Sequence, residues 1–230
     1  HRTLIFRKLK SLEDIIAVSF VHPNMLDQGW VFDDWKGETG DNLYRYKCLH
    51  QHYTKAKSEY SGRVTVPVLW DSQRQTIVSN ESSEIIRMFN SAFNEFTPVK
   101  TDYYPEDLLE EIDLINANIY HNLNNGVYRC GFATTQEAYQ ASFTRLFDCL
   151  NELESMLGKQ RYLLGGIITE ADWRLFTTLI RFDAVYFSHF KTNMRRIRDY
   201  PKLSGYVRDL FQQPGIEETV NMEHIKQHYY

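Results

Sequence analysis

Two short stretches carry the side chains best suited to chemistry. Val64-Thr65-Val66-Pro67-Val68-Leu69-Trp70-Asp71 is a β-branched run broken by a proline. A strand interior would normally exclude that proline, because it has no ladder donor. After a second short run, Thr76-Ile77-Val78, the cluster Ser79-Asn80-Glu81-Ser82-Ser83-Glu84 opens an apolar series at Ile85-Ile86. A helix beginning there aims free N–H groups at an anion. Arg63, just upstream, can grip a carboxylate with its planar fork. Taken alone, Glu81 and Ser82 read as helix-start residues, and Trp30 as a loop aromatic covering the core.

Other reactive side chains are less organised. Cys48, Cys130 and Cys149 are widely spaced, without a CxxC pair or zinc spacing, so a disulfide framework is not expected and a reducing cytoplasm is the default. His224 and His228 have i, i+4 spacing with no third ligand in view, so no metal is expected. His50 and His52 would point to different faces of a helix. The basic run Lys191–Arg198 reads as a solvated turn and helix face.

The elements that must position these residues follow from periodicity. Residues 1–13 read as a helix, 15–21 as a strand, and 22–42 as a loop. Then come a helix over 43–57, a hairpin over 64–71 and 75–79, and a helix over 81–93. A proline- and tyrosine-rich stretch from Thr97-Pro98 to Tyr104-Pro105 reads as a linker. Everything beyond is helical: 105–125, 135–158, 169–186, 201–212 and a last helix near 216–228. Thr169-Glu170-Ala171-Asp172 is a capping box, contributing about 1 kcal/mol to helix initiation; its role is folding.

A net charge of −4 over 230 residues leaves no electrostatic footprint for nucleic acid. No run is long and apolar enough to cross a bilayer.

The α/β unit followed by a helical unit, with Val66-Pro67 and Glu81-Ser82, resembles glutathione transferases. Longer motifs narrow this to the Xi class, the glutathionyl-hydroquinone reductases: Gly29-Trp30-Val31-Phe32-Asp33-Asp34, Tyr60 through Asp71, Asn124-Asn125-Gly126-Val127-Tyr128, Gly131 through Tyr139, Glu170 through Phe176, and Arg181 through Tyr186. The resemblance covers essentially the whole chain. It implies a thioredoxin-like N-terminal domain over residues 1–97 and an all-helical C-terminal domain over 98–230. It also implies a cis Val66-Pro67 step whose preceding backbone pairs with a thiol peptide. Glutathione would be the co-substrate, with no metal. It would be held by Trp30, Arg63, Val64, Thr65, Val66, Glu81 and Ser82, with Glu81 on the γ-glutamyl ammonium and Ser82 on its carboxylate. Tyr128 would exchange a proton with the leaving phenolate. Tyr186 and Tyr229 would support a cysteine thiolate. From composition alone, the same tyrosines read as packing residues between helices.

In this family the nucleophile lies in a Cys-Pro-Trp-Ala segment directly before His-Arg-Thr, and the chain starts at that His. The nucleophile and its strand are therefore expected upstream of His1, and residues 1–230 alone are expected to be poorly folded and inactive. The family also implies a cytoplasmic homodimer. The rival reading is a non-catalytic glutathione-transferase-like binding or assembly module.

Overall fold

A computed structural model describes residues 1–230 except Leu26, Asp34 and Glu38. The last position of the Gly29–Asp34 motif therefore lies outside the described residues. The chain divides into two compact units. One holds Phe6–Lys100 and Asn221–Tyr229; the other holds His1–Ile5, Thr101–Val220 and Tyr230.

The first unit contains the second half of α1 (Arg2–Leu9), then α2 (His50–Ala56), β1 (Leu69–Asp71), β2 (Thr76–Ser79), α3 (Ser82–Ser91) and α10 (Met222–Tyr229). The two strands pair antiparallel, with Trp70 opposite Ile77 and an irregularity between Leu69 and Trp70. Val66-Pro67 is a cis peptide, as the resemblance implied. The core is Phe6, Leu12, Leu49, Tyr53, Ile85, Ile86 and Phe89.

Three expectations for this unit are corrected. The first strand of the hairpin, expected over 64–71, is confined to Leu69–Asp71, because the Tyr53 hydroxyl takes both backbone groups of Thr65 and the proline at 67 has no N–H to give a ladder. Residues 15–21 do not form a strand. Their carbonyls are taken by side chains: Arg7 Nε donates to Ile16 at 2.6 Å, and Asn42 Nδ2 donates to Val18 at 3.2 Å. The predicted helix over 43–57 begins only at His50. The buried Asp41 carboxylate instead accepts the N–H groups of Leu43, Tyr44 and Tyr46, and Arg45 takes φ 57°. A non-glycine residue in that conformation is incompatible with a helix.

In the second unit, α4 (Leu109–Ile119), α5 (Gly126–Gly131), α6 (Gln136–Leu157), α7 (Glu170–Arg181), the short α8 (Phe187–His189) and α9 (Pro201–Phe211) enclose Ile112, Leu123, Leu146, Leu150, Phe176 and Leu203. Two helices expected to run straight are interrupted by π turns. Asn125 N–H reaches the Tyr120 carbonyl, and Phe187 N–H reaches that of Phe182. The last predicted helix is also split. A 3-10 turn over Glu217–Thr219 stops before α10, and the Asn221 side chain accepts the His224 N–H at 2.9 Å.

Asp172 does more than the sequence suggested. Its carboxylate accepts from Thr169 N and Oγ1, and also from the Leu163 N–H at 2.9 Å and the Tyr206 hydroxyl at 2.8 Å. Burial pushes this carboxyl up, and these four donors oppose the shift.

Candidate active site

The two stretches flagged in the sequence are joined by one buried phenol. Tyr53, on α2, is 2% exposed. Its hydroxyl donates to the Thr65 carbonyl at 2.8 Å and accepts the Thr65 N–H at 3.2 Å. It also accepts from Asn80 Nδ2 at 3.1 Å. Asn80 in turn reaches Thr65 Oγ1 at 3.3 Å. The segment entering the cis Val66-Pro67 step is thereby tied to the segment entering α3.

Val66 is 42% exposed, and among the described residues no group pairs with its backbone N–H or C=O. An extended peptide can add to that backbone as a further strand would. Val64, half-buried, and Thr65, exposed, lead into it. Arg63 is exposed, and its carbonyl accepts the Tyr60 hydroxyl at 2.7 Å, which fixes its backbone and leaves the guanidinium toward solvent. Gly62, at φ 153°, lies under the same phenol; a Cβ there would come within 3.1 Å of the Tyr60 oxygen.

At the start of α3, Glu81 is the N-cap. Its Oε1 accepts the Ser83 N–H and Ser83 hydroxyl, each at 3.1 Å, and the Ser82 hydroxyl at 3.4 Å. The carboxylate assigned to an ammonium thus also has a structural duty at the helix end. Its backbone N–H donates to Ser79 Oγ, which donates to Glu84 at 2.7 Å. Trp30, half-buried, stacks on His228 with ring centroids 5.3 Å apart. Tyr229, in the same unit, has its ring 4.8 Å from that of His228.

In the helical unit, Tyr128 on α5 and Tyr186 at the end of its π turn lie edge to face at 5.9 Å. Phe190 contacts both, at 5.2 Å from Tyr128 and stacked at 5.4 Å on Tyr186. Phe190 can sit there because residue 131 is glycine: a Cβ would approach its ring to 2.4 Å. Tyr128 is half-buried, Tyr186 is buried, and Phe132, one turn on from Tyr128, is 69% exposed.

The thiols are poor nucleophiles in this setting. Burial pushes Cys130 up to about 11. Burial, with the Glu152 carboxylate adding to it, pushes Cys149 up to about 12. Cys48 is half-buried beside α2.

Tyr53, Asn80 and His228 are site-building residues that the sequence does not mark as such. The i, i+4 histidine spacing is the available signal for His228, and it points to a helix face that meets a partner as much as to a metal. Nothing local to Tyr53 separates it from the other tyrosines of the chain.

The glutathione S-transferase N-terminal domain family matches residues 1–92, and the corresponding C-terminal domain family matches residues 136–209. Over its whole length the chain is 57% identical to glutathionyl-hydroquinone reductase YqjG of Escherichia coli K12, covering 70% of that protein. It is 51% identical to glutathionyl-hydroquinone reductase PcpF of Sphingobium chlorophenolicum, covering 74%.

The chain belongs to the Xi class of the glutathione S-transferase family.

The glutathione-bound structure of YqjG superposes on this Xi-class chain with a TM-score of 0.98, across all of the chain and 75% of that structure. The Xi-class transferase of Natrialba magadii does so with a TM-score of 0.98 at 49% identity, across all of the chain and 71% of that structure. The Xi-class fold is therefore a thioredoxin-like N-terminal domain with a helical C-terminal domain. Among the described residues no helix is long and apolar enough to cross a membrane, and no cluster of His, Cys, Asp and Glu is arranged to hold a metal.

Proposed function

We propose that this protein is a glutathione-dependent reductase of glutathionyl-hydroquinones, acting in the cytoplasm as a homodimer. Trp30, Arg63, Val64, Thr65, Val66, Glu81 and Ser82 hold the glutathionyl group. The observation that carries this reading is the Tyr53–Thr65–Asn80 junction, which sets an open backbone at Val66 beside the N-terminal turn of α3. A tripeptide with an extended backbone and a terminal carboxylate matches both features.

In the proposed reaction a thiolate attacks the glutathione sulfur. The carbon–sulfur bond to the ring breaks, and the ring leaves with its electron pair and takes up a proton as hydroquinone. A mixed disulfide remains on the enzyme. A second glutathione thiolate displaces it, giving glutathione disulfide and restoring the thiolate. Tyr128 manages the proton on the ring side, and Tyr186 and Tyr229 support the thiolate. Neither Cys130 nor Cys149 suits the nucleophile, because a buried thiol with a raised pKa is almost wholly protonated. We assign that part to the cysteine the family carries just ahead of the segment matching His1.

The test is to incubate the full-length protein with glutathione and a glutathionyl-hydroquinone, and to follow hydroquinone and glutathione disulfide by chromatography. Equimolar formation of both supports the reductase. Glutathione binding without hydroquinone release would favour the non-catalytic binding module.

A further inference from the structure

The last helix is attached to the loop that carries Trp30 by a matched set of contacts. His224 Nε2 meets the Val21 carbonyl at 3.2 Å, and His228 Nδ1 meets the Pro23 carbonyl at 2.7 Å. A ring nitrogen facing a carbonyl must carry the proton, so both imidazoles donate. The spacings fit: four residues of helix rise about 6 Å, and two residues of extended chain rise about 6.6 Å. Each imidazole also meets an indole of the same loop, His228 stacking on Trp30 at 5.3 Å and His224 lying edge-on to Trp35 at 5.2 Å. Among the described residues, the loop has little regular structure of its own. Beside Trp30, an isolated bridge joins Val31 to Cys48, and the Trp30 carbonyl accepts the Leu49 N–H. Those bonds fix the backbone of Trp30; the stacked His228 bears on its side chain.

We propose that α10 is a strap across the Trp30 loop, with His228 the positioning residue that sets the Trp30 indole for glutathione. This rests on the assignment of Trp30 to glutathione made above. Tyr229 follows His228 directly, so one short helix supports the glutathione loop and presents a phenol assigned to the sulfur chemistry. Ligand binding and thiolate support are then linked through adjacent residues.

The test uses the full-length protein and three substitutions. His228→Asn keeps a donor near the Nδ1 position and drops the ring. His228→Phe keeps the ring and drops the donor. His228→Ala drops both. The KM for glutathione is expected to rise about tenfold in the alanine variant, in line with a lost aromatic pair and a lost hydrogen bond. The other two variants should lie between it and wild type, with kcat changed far less than KM. With 5-fluorotryptophan incorporated, the Trp30 resonance, assigned through Trp30→Phe, should move in His228→Asn and stay near its wild-type position in His228→Phe. Unchanged KM and an unmoved Trp30 resonance in both His228→Asn and His228→Ala would overturn the strap. Trp30→Ala separates this from the underlying reading. If it leaves glutathione affinity unchanged, the assignment of Trp30 fails. If it weakens affinity while the His228 variants do not, only the strap fails. If the alanine variant does not fold, the asparagine and phenylalanine variants decide the matter.

Discussion

The Tyr53 hydroxyl bonds both backbone groups of Thr65, donating to its carbonyl at 2.8 Å and accepting its N–H at 3.2 Å. A single side chain thus does for one residue what a neighbouring strand would do. The same oxygen accepts from Asn80, so it also holds the approach to α3.

Tyr53→Phe removes that oxygen and keeps the ring packed against Tyr60 at 5.0 Å. Thr65 is exposed, so water can replace part of what is lost. The expected stability loss is about 1 kcal/mol, the usual net value of a hydrogen bond. Glutathione affinity should fall several-fold, because Thr65 and Asn80 lose their common anchor. Calorimetric titration beside a thermal melt separates the two effects; a melt shift with unchanged affinity would make Tyr53 purely structural.

Arg63→Ala should weaken glutathione binding by about 1.5–3 kcal/mol, the range for a charge-assisted contact. The substitution leaves the Tyr60 bond to the residue 63 carbonyl in place, so the fold should be unaffected. Wild-type affinity by calorimetry would remove Arg63 from the site.

Tyr128→Phe keeps the edge-to-face contacts with Tyr186 and Phe190 and removes only the hydroxyl. Turnover of a glutathionyl-hydroquinone should drop about 100-fold, as for a lost positioned proton donor, with glutathione affinity nearly intact. Turnover equal to wild type would leave Tyr128 as packing.

Thiol reactivity should be strongly site-selective. With Cys130 held at about 11, only about one molecule in a thousand carries its thiolate at pH 8. Cys149 is held higher still. In the native state, alkylation at pH 8 should mark Cys48 among these three, with the other two reacting on unfolding. The raised values also mean that the folded state binds these protons more tightly than the unfolded chain. Their contribution to stability therefore declines as pH rises from the ordinary thiol value, near 8.5, toward 11. Peptide mapping of alkylated protein checks the selectivity; native-state labelling of Cys149 at pH 8 would contradict it.

Asp172→Ala strips partners from four donors, among them the Tyr206 hydroxyl and the Leu163 N–H. Buried donors left unsatisfied cost about 1–3 kcal/mol each, so a loss of at least about 3 kcal/mol is expected, well above that of a helix cap alone. Denaturant unfolding measures it, and a loss near 1 kcal/mol would restore the simpler capping role.

What the sequence made legible depended on how local the deciding contacts were. The helix over Gln136–Leu157 matched its 135–158 expectation because its apolar face and its Thr135 cap lie within the segment itself. The pairing of two short strands and the helix after them were likewise readable, although the first strand is shorter than expected, while the cis proline came from the resemblance. The strand expected over 15–21 was not, because β-branched residues favour a strand only where a ladder partner exists. Here Arg7 and Asn42, distant in sequence, occupy the carbonyls. The helix expected from residue 43 failed for a similar reason: Asp41 captures three N–H groups that a helix would need to start. For the site, resemblance supplied the residues proposed to touch ligand. Tyr53, Asn80 and His228 contact those residues or their neighbours across long sequence separations, and of the three only His228 leaves a local pattern, its i, i+4 spacing from His224.

The two π turns bear on how this architecture could vary. Each is a helix carrying one residue more than its hydrogen bonding requires, placed shortly before or at a tyrosine of the aromatic cluster. A helix advances about 100° in azimuth per residue. The bearing of Tyr128 is therefore set partly by a count of residues between 120 and 125, and that of Tyr186 by a count between 182 and 187. Removing one residue from either count would swing the phenol through more than a quarter turn, away from the rings it now touches. Single-residue insertions and deletions, rather than substitutions, are then the coarse steering of these two side chains, and related chains could re-aim one phenol while leaving the other fixed.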